Sequence, residues 1–126
     1  MPRDLRAYLW DIEQAAAEIL DFTRGKQLKD YQQDSMLRAA VERKFEVIGE
    51  ALTQALRYFP EIASRISDHQ KIIAFRNRLI HGYSSVSDAL VWDIVETDLP
   101  RLRKELAAFV RQIDGGATGS TPQTAQ

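Results

Sequence analysis

A chain of 126 residues can bury one sizeable core and little more. Its formal net charge of −1 argues against non-specific coating of nucleic acid, which needs a strongly basic protein, though a local basic site remains open. It has no cysteine, which excludes disulfides, thiolate metal sites and a cysteine nucleophile. The opening stretch MPRDLRAYLW is charged throughout and has no apolar h-region, so no signal peptide is expected. No run of about 18 apolar residues follows, so no membrane span is expected either. The chain reads as a soluble, cytoplasmic protein.

Glycine and proline are scarce before residue 114 and sit at the seams, which suits long helices joined by short loops. The first helix is predicted from Asp4 to Arg24, where Leu5, Leu9, Ile12, Ala16, Ile19 and Leu20 recur at helical spacing. Gly25 supplies its stop, and a polar connection, Lys26 to Asp30, follows. The second helix is predicted from Tyr31 to Phe59. Its residues Leu37, Val41, Phe45, Ile48, Leu52, Ala55 and Leu56 fall within one arc of roughly 80°. Such a stripe packs against other helices. Pro60 ends it or opens a short turn, Glu61 to Ile66.

Ser67 or Asp68 can cap a third helix, which Gly82 ends. Ser87 can cap a fourth, with Leu90, Val91, Ile94 and Val95 as its buried side. Pro100 interrupts it, and the pattern resumes through Leu102, Leu106, Phe109, Val110 and Ile113, giving one kinked helix or two short ones. From Gly115 on, GGATGSTPQTAQ has no charge, aromatic or periodicity and reads as a disordered tail. There is no alternating β-branched run and no internal repeat. The expectation is an all-α, up-down bundle of four to five helices over residues 1–114, with 115–126 as tail.

The third helix carries RNRLIHGY, Arg76 to Tyr83. On a helical wheel Ile72, Phe75, Leu79, Ile73 and Ile80 form the apolar arc, and Arg76 lies inside it, about 40° from Ile72. A guanidinium there is costly unless it is paired or borders a wet cleft. Departures of this kind tend to mark functional or strained sites. A carboxylate of the second helix, Glu46 or Glu50, can supply the pair. Arg78 falls on the opposite side and reads as solvated, and Asn77 as an exposed polar residue.

His81, one of two histidines, closes the helix roughly 140° round from Arg76 on an ideal wheel. It can be a helix-end residue bonded to carbonyls, favoured by the helix dipole when protonated. It can equally join an arginine around a phosphate. Arginine offers a planar clamp, and histidine titrates near neutrality and can move a proton. RNA cleavage without a metal needs those parts, because the substrate's own 2′-OH can be the nucleophile. His69 reads as a solvated residue near a helix start, and Tyr83 as a packing aromatic or an exposed phenol. No phosphate-binding loop, dinucleotide fingerprint, zinc-protease helix or nucleophile elbow is present, and no metal-binding cluster stands out.

At these residues the sequence resembles the HEPN superfamily, and within it the HepT-like branch. That signature is an Arg, four to six residues, a His, then one residue and a Tyr; here it is Arg76-Asn-Arg-Leu-Ile-His81-Gly-Tyr83. RKFEVIGEAL, Arg43 to Leu52, is similar to the branch's second helix and VWDIVETDLP, Val91 to Pro100, to its last. The resemblance covers about residues 1–113. It implies a helical homodimer in which the motifs of two chains face one cleft.

The resemblance further implies a metal-independent endoribonuclease that needs no cofactor and serves as the toxin of a toxin–antitoxin pair. The antitoxin would be a small nucleotidyltransferase that adds AMP to the motif tyrosine, Tyr83. The chain has no nucleotidyltransferase motif of its own, so it would be that reaction's substrate. Carried over by position, Arg76 would bind and polarise the scissile phosphate. His81 would be general acid or base, Asn77 would orient the phosphate or the histidine, and Arg78 would contact RNA. The alternative is a non-catalytic module that binds nucleotide or RNA beside a nucleotidyltransferase.

Overall fold

The computed structural model describes residues 3–82 and 85–119, with side chains through 115. Three helices begin at a residue whose side chain accepts from one of their first free amides; Asp68, at the N-cap of the helix His69–His81, makes no such bond. Asp4 accepts from the Arg6 amide and opens α1 (Leu5–Thr23). Asp34 accepts from the Leu37 amide at 3.0 Å and opens α3 (Ser35–Tyr58). Ser87 accepts from the Leu90 amide at 3.1 Å and opens α5 (Asp88–Asp93). Such caps satisfy donors that have no partner within the helix. Gly25 ends the first turn region with φ +73°, a conformation that favours glycine. Between them lie α2 (Leu28–Gln33), a 3₁₀ turn (Pro60–Ser64) and α4 (His69–His81); α5 runs through a π-helical turn (Ile94–Asp98) into α6 (Leu99–Gly119). No strand occurs among the described residues, and the fold is an all-α up-down bundle. No described helix is long and apolar enough to cross a membrane.

The predicted stripes form the core. Leu9, Ile12, Ala16 and Ile19 of α1 meet Val41, Phe45, Ile48 and Leu52 of α3, all buried. This α1–α3 pair is the most extensive contact in the bundle; α4 packs on α3, and α6 returns along α1. Ile72, Phe75 and Leu79 of α4 are buried, with the Phe75 ring edge-on to Phe45 at 5.1 Å between centroids. Ile80, at the margin of the predicted arc, is 44% exposed.

Three boundaries depart from the sequence reading. The stretch read as a polar connection holds α2, whose first amide region is satisfied by the Asp30 carboxylate accepting from Gln27 N–H at 2.7 Å. Tyr31 therefore belongs to α2 and not to the long helix. Its ring is fully buried against Trp92, and the chain breaks at Asp34, where the extended backbone lets the side chain cap α3. Pro100 does not interrupt the last helix. The amide of Leu99 reaches the carbonyl of Ile94, five residues back, and this wide turn gives the proline ring room in the first turn of α6. Finally α6 continues past Gly115 to Gly119; no proline stands in its way before Pro122.

Candidate active site

The third and fourth helices of the bundle meet where a glycine faces an arginine. A Cβ built on Gly49 of α3 would lie 2.3 Å from Arg76 Cβ and 2.4 Å from its Cγ. Only glycine leaves room for the Arg76 stem at this helix separation. A mid-helix glycine costs about 1 kcal/mol relative to alanine, so its presence here reflects close approach. It was not singled out from the sequence. The available signal was a lone glycine on the apolar flank of a helix that has no other.

The stem delivers the guanidinium to the edge of α3. Arg76 Nη2 lies 2.5 Å from Glu50 Oε1, and Nη1 donates to Asn77 Oδ1 at 2.9 Å. Of the two carboxylates the sequence offered, Glu50 is the partner; Glu46 pairs with Arg43 at 3.3 Å. The Arg76 side chain is 21% exposed and that of Glu50 51% exposed, so the pair borders solvent. Arg76 Nε is buried and has no hydrogen-bond partner among the described residues. The second oxygen of Glu50 accepts from Gln54 at 3.1 Å. Glu50 also lines a groove of about 390 Å³ between α1 and α3, with Arg3, Tyr8, Asp11, Arg43 and Glu46.

Asn77 is exposed and engages Arg76. Arg78 is exposed too, yet it is engaged: its Nε donates to Ser85 Oγ at 3.3 Å and its Nη2 to the Ser85 carbonyl. Ser85 in turn donates to the Gly82 carbonyl from both its hydroxyl, at 2.6 Å, and its amide, at 2.8 Å. Arg78 thus ties α4 to Ser85. His81 is the last residue of α4, exposed at the helix C-terminus, with Gly82 as the C-cap. It makes no side-chain hydrogen bond among the described residues. The structure brings Arg76, Asn77 and Glu50 together, and leaves His81 on the same helix with no side-chain hydrogen bond to them. Tyr83 lies outside the described residues. His69 opens α4 and is half-buried.

The N-terminal end of α4 is anchored separately. Lys71 Nζ lies 2.6 Å from the Asp98 carboxylate in the π turn, and Arg101 lies 3.7 Å from the same carboxylate. Asp98 is only 2% exposed. Its hydrogen bond to Lys71 holds that ammonium above the ordinary lysine value. A larger groove, about 740 Å³, lies between α1 and α6 around Trp10, Leu106 and Val110, and contains no residue of the motif. Two of its cations are already paired, Arg6 with Asp114 and Arg103 with Glu13. Among the described residues no group of three or more His, Asp or Glu side chains is placed to hold a metal ion.

Comparison with known proteins places these features in one context. The family described as "Ribonuclease HepT-like" matches residues 12–109, a span holding Gly49, Glu50 and the motif through His81. A Methanocaldococcus jannaschii protein provisionally named an RNase is 34% identical over 104 residues, covering 82% of this chain and 94% of the relative. A Thermococcus cleftensis protein provisionally named a ribonuclease HepT is 33% identical over 103 residues, covering 82% and 93%. No solved structure gives a significant match. The chain belongs to the HepT-like ribonuclease family of the HEPN superfamily.

Proposed function

We propose that this chain is a metal-independent endoribonuclease and the toxin of a toxin–antitoxin pair. The observation that carries the reading is Arg76, a cation placed by Gly49 at a solvent-facing edge of the bundle and backed by an exposed histidine at the end of the same helix. Each terminal nitrogen of Arg76 spends one hydrogen on Glu50 or Asn77, which leaves one on each to receive a phosphate oxygen. Asn77 steadies that fork. His81 supplies a proton at the leaving oxygen or removes one from the nucleophile. On an ideal helix Arg76 and His81 point about 140° apart. A homodimer, in which a second chain brings its own motif to the cleft, is therefore part of the proposal. So are a 1–114 domain and action on RNA in the cytoplasm.

The partner in this reading is a small nucleotidyltransferase antitoxin that transfers AMP to Tyr83. An added phosphate carries negative charge and bulk into the cleft and would repel the substrate. Two outcomes test the pairing. Expression of the chain alone should arrest growth, and Arg76→Ala or His81→Ala should relieve the arrest while the protein stays folded. Incubation with the partner and ATP should add one or more AMP units to the intact mass, and Tyr83→Phe should abolish the addition. Growth arrest by both variants equal to wild type, or equal AMP addition to Tyr83→Phe, contradicts the reading.

A further inference from the structure

Cleavage through the 2′-OH needs two proton transfers, one from the nucleophile and one to the leaving group. The motif's histidine, His81, can serve one of them. The structure places a second titratable side chain beside Arg76. Glu50 contacts the guanidinium through one oxygen at 2.5 Å and is oriented through the other by Gln54 at 3.1 Å. Its carboxylate is half exposed, so a ribose can reach it. Gly49, its neighbour in sequence, fixes how close the Arg76 stem lies and hence where the fork meets the carboxylate. A phosphate received by the free N–H groups of Arg76 would sit next to Glu50. The 2′-OH of the same nucleotide lies one sugar bond further on.

We infer that Glu50 is the proton acceptor of the cleavage step, with Arg76 as phosphate clamp and His81 as proton donor. The inference rests on the ribonuclease reading above. In the step, the 2′-oxygen gives its proton to the Glu50 carboxylate and forms a bond to phosphorus. The bond from phosphorus to the 5′-oxygen breaks, and protonated His81 gives that oxygen its proton. The products are a 2′,3′-cyclic phosphate and a 5′-hydroxyl; no water, oxidant or metal is consumed. The charged groups sharing Glu50's surroundings are Arg76 of α4, Arg3 and Asp11 of α1, and Arg43 and Glu46 of its own helix. Arg3 is paired with Asp11 and Arg43 with Glu46, which leaves Arg76 as the cation that meets Glu50 directly.

Glu50→Gln separates proton transfer from positioning, because glutamine keeps an oxygen for Arg76 and cannot take a proton. The probes are a short single-stranded RNA and the same strand with one 2′-deoxynucleotide at the cleaved position, which binds without being cut. Glu50→Gln should lower kcat on the order of 10²–10⁴-fold and bind the deoxy strand within a few-fold of wild type. Glu50→Asp, which keeps a carboxylate, should cleave faster than Glu50→Gln. Cleavage by Glu50→Gln within about threefold of wild type would overturn the assignment. So would equal loss of cleavage and deoxy-strand binding, which would make Glu50 a positioning residue for Arg76. If Arg76→Ala and His81→Ala also cleave like wild type, the ribonuclease reading of the site fails and not this step alone.

Discussion

Among the described residues two ion pairs tie α4 to the rest of the bundle, and they bury opposite partners: the carboxylate in one, most of the arginine in the other. At its N-terminal end Lys71 reaches Asp98, a carboxylate 2% exposed and wedged in the π turn that feeds α6. In its middle Arg76 reaches Glu50, a carboxylate 51% exposed on the outer edge of α3. Charges taken from water interact strongly and must be matched in place. Charges left at the surface are screened, and exposed pairs contribute only about 0–1 kcal/mol. The first pair therefore belongs to the fold. The second leaves its carboxylate, and the outer edge of a guanidinium whose side chain is 21% exposed, where a ligand can reach them.

The comparison breaks most visibly at Arg76. Arg76→Ala should lower RNA cleavage by about 10²–10³-fold, the typical loss of one transition-state charge donor, with only the modest stability loss of a truncated, partly buried stem in urea unfolding. Asp98→Ala should do the reverse. It removes the one carboxylate buried beside Lys71 and Arg101 and should reduce stability by about 1–3 kcal/mol, read from the urea midpoint. Its cleavage rate below the transition should stay near wild type.

Gly49→Ala tests whether the two properties are coupled at one point. The added methyl overlaps the Arg76 stem, so α4 must move away from α3, with a stability loss of about 1–3 kcal/mol and a drop in cleavage together. A variant that loses neither would remove the steric argument for where the guanidinium sits. The smallest effect is the pH dependence of the Lys71 pair. Its folded pKa is raised by the Asp98 hydrogen bond, so the stabilisation is complete below the ordinary value of 10.5 and fades as pH rises through the higher folded value. Lys71→Met should abolish that alkaline decline in urea unfolding and lower stability across the neutral range, where the pair is fully formed.

The α1, α3 and α4 stripes were legible because their apolar residues repeat at 3.6 and their burial follows that repeat. Arg76 was legible for the same reason, as a charge on an apolar arc, and its carboxylate lay among the two that the spacing allowed. The remainder depends on contacts that spacing does not encode. The six residues of α2 are too few for a periodic signal, and its break from α3 is a local matter of where the Asp34 side chain bonds. The π turn is invisible on a wheel that assumes 100° per residue, so the burial of Asp98 cannot be read from one. Gly49 acquires meaning only once α4 lies against α3. Arg78 read as solvated, and it is exposed, but its bonds to Ser85 reach past the end of the helix pattern. The relation of His81 to Arg76 is set between chains in the proposed dimer, beyond the reach of either helix alone.

One assay decides whether this site cleaves RNA: cleavage by the purified protein with a metal chelator present, comparing wild type with Arg76→Ala and His81→Ala of unchanged fold. The expected result is cleavage by wild type that ends in 2′,3′-cyclic phosphates and is lost on the order of 10²-fold or more in each variant. Equal cleavage by all three proteins, or cleavage that the chelator abolishes, would contradict it.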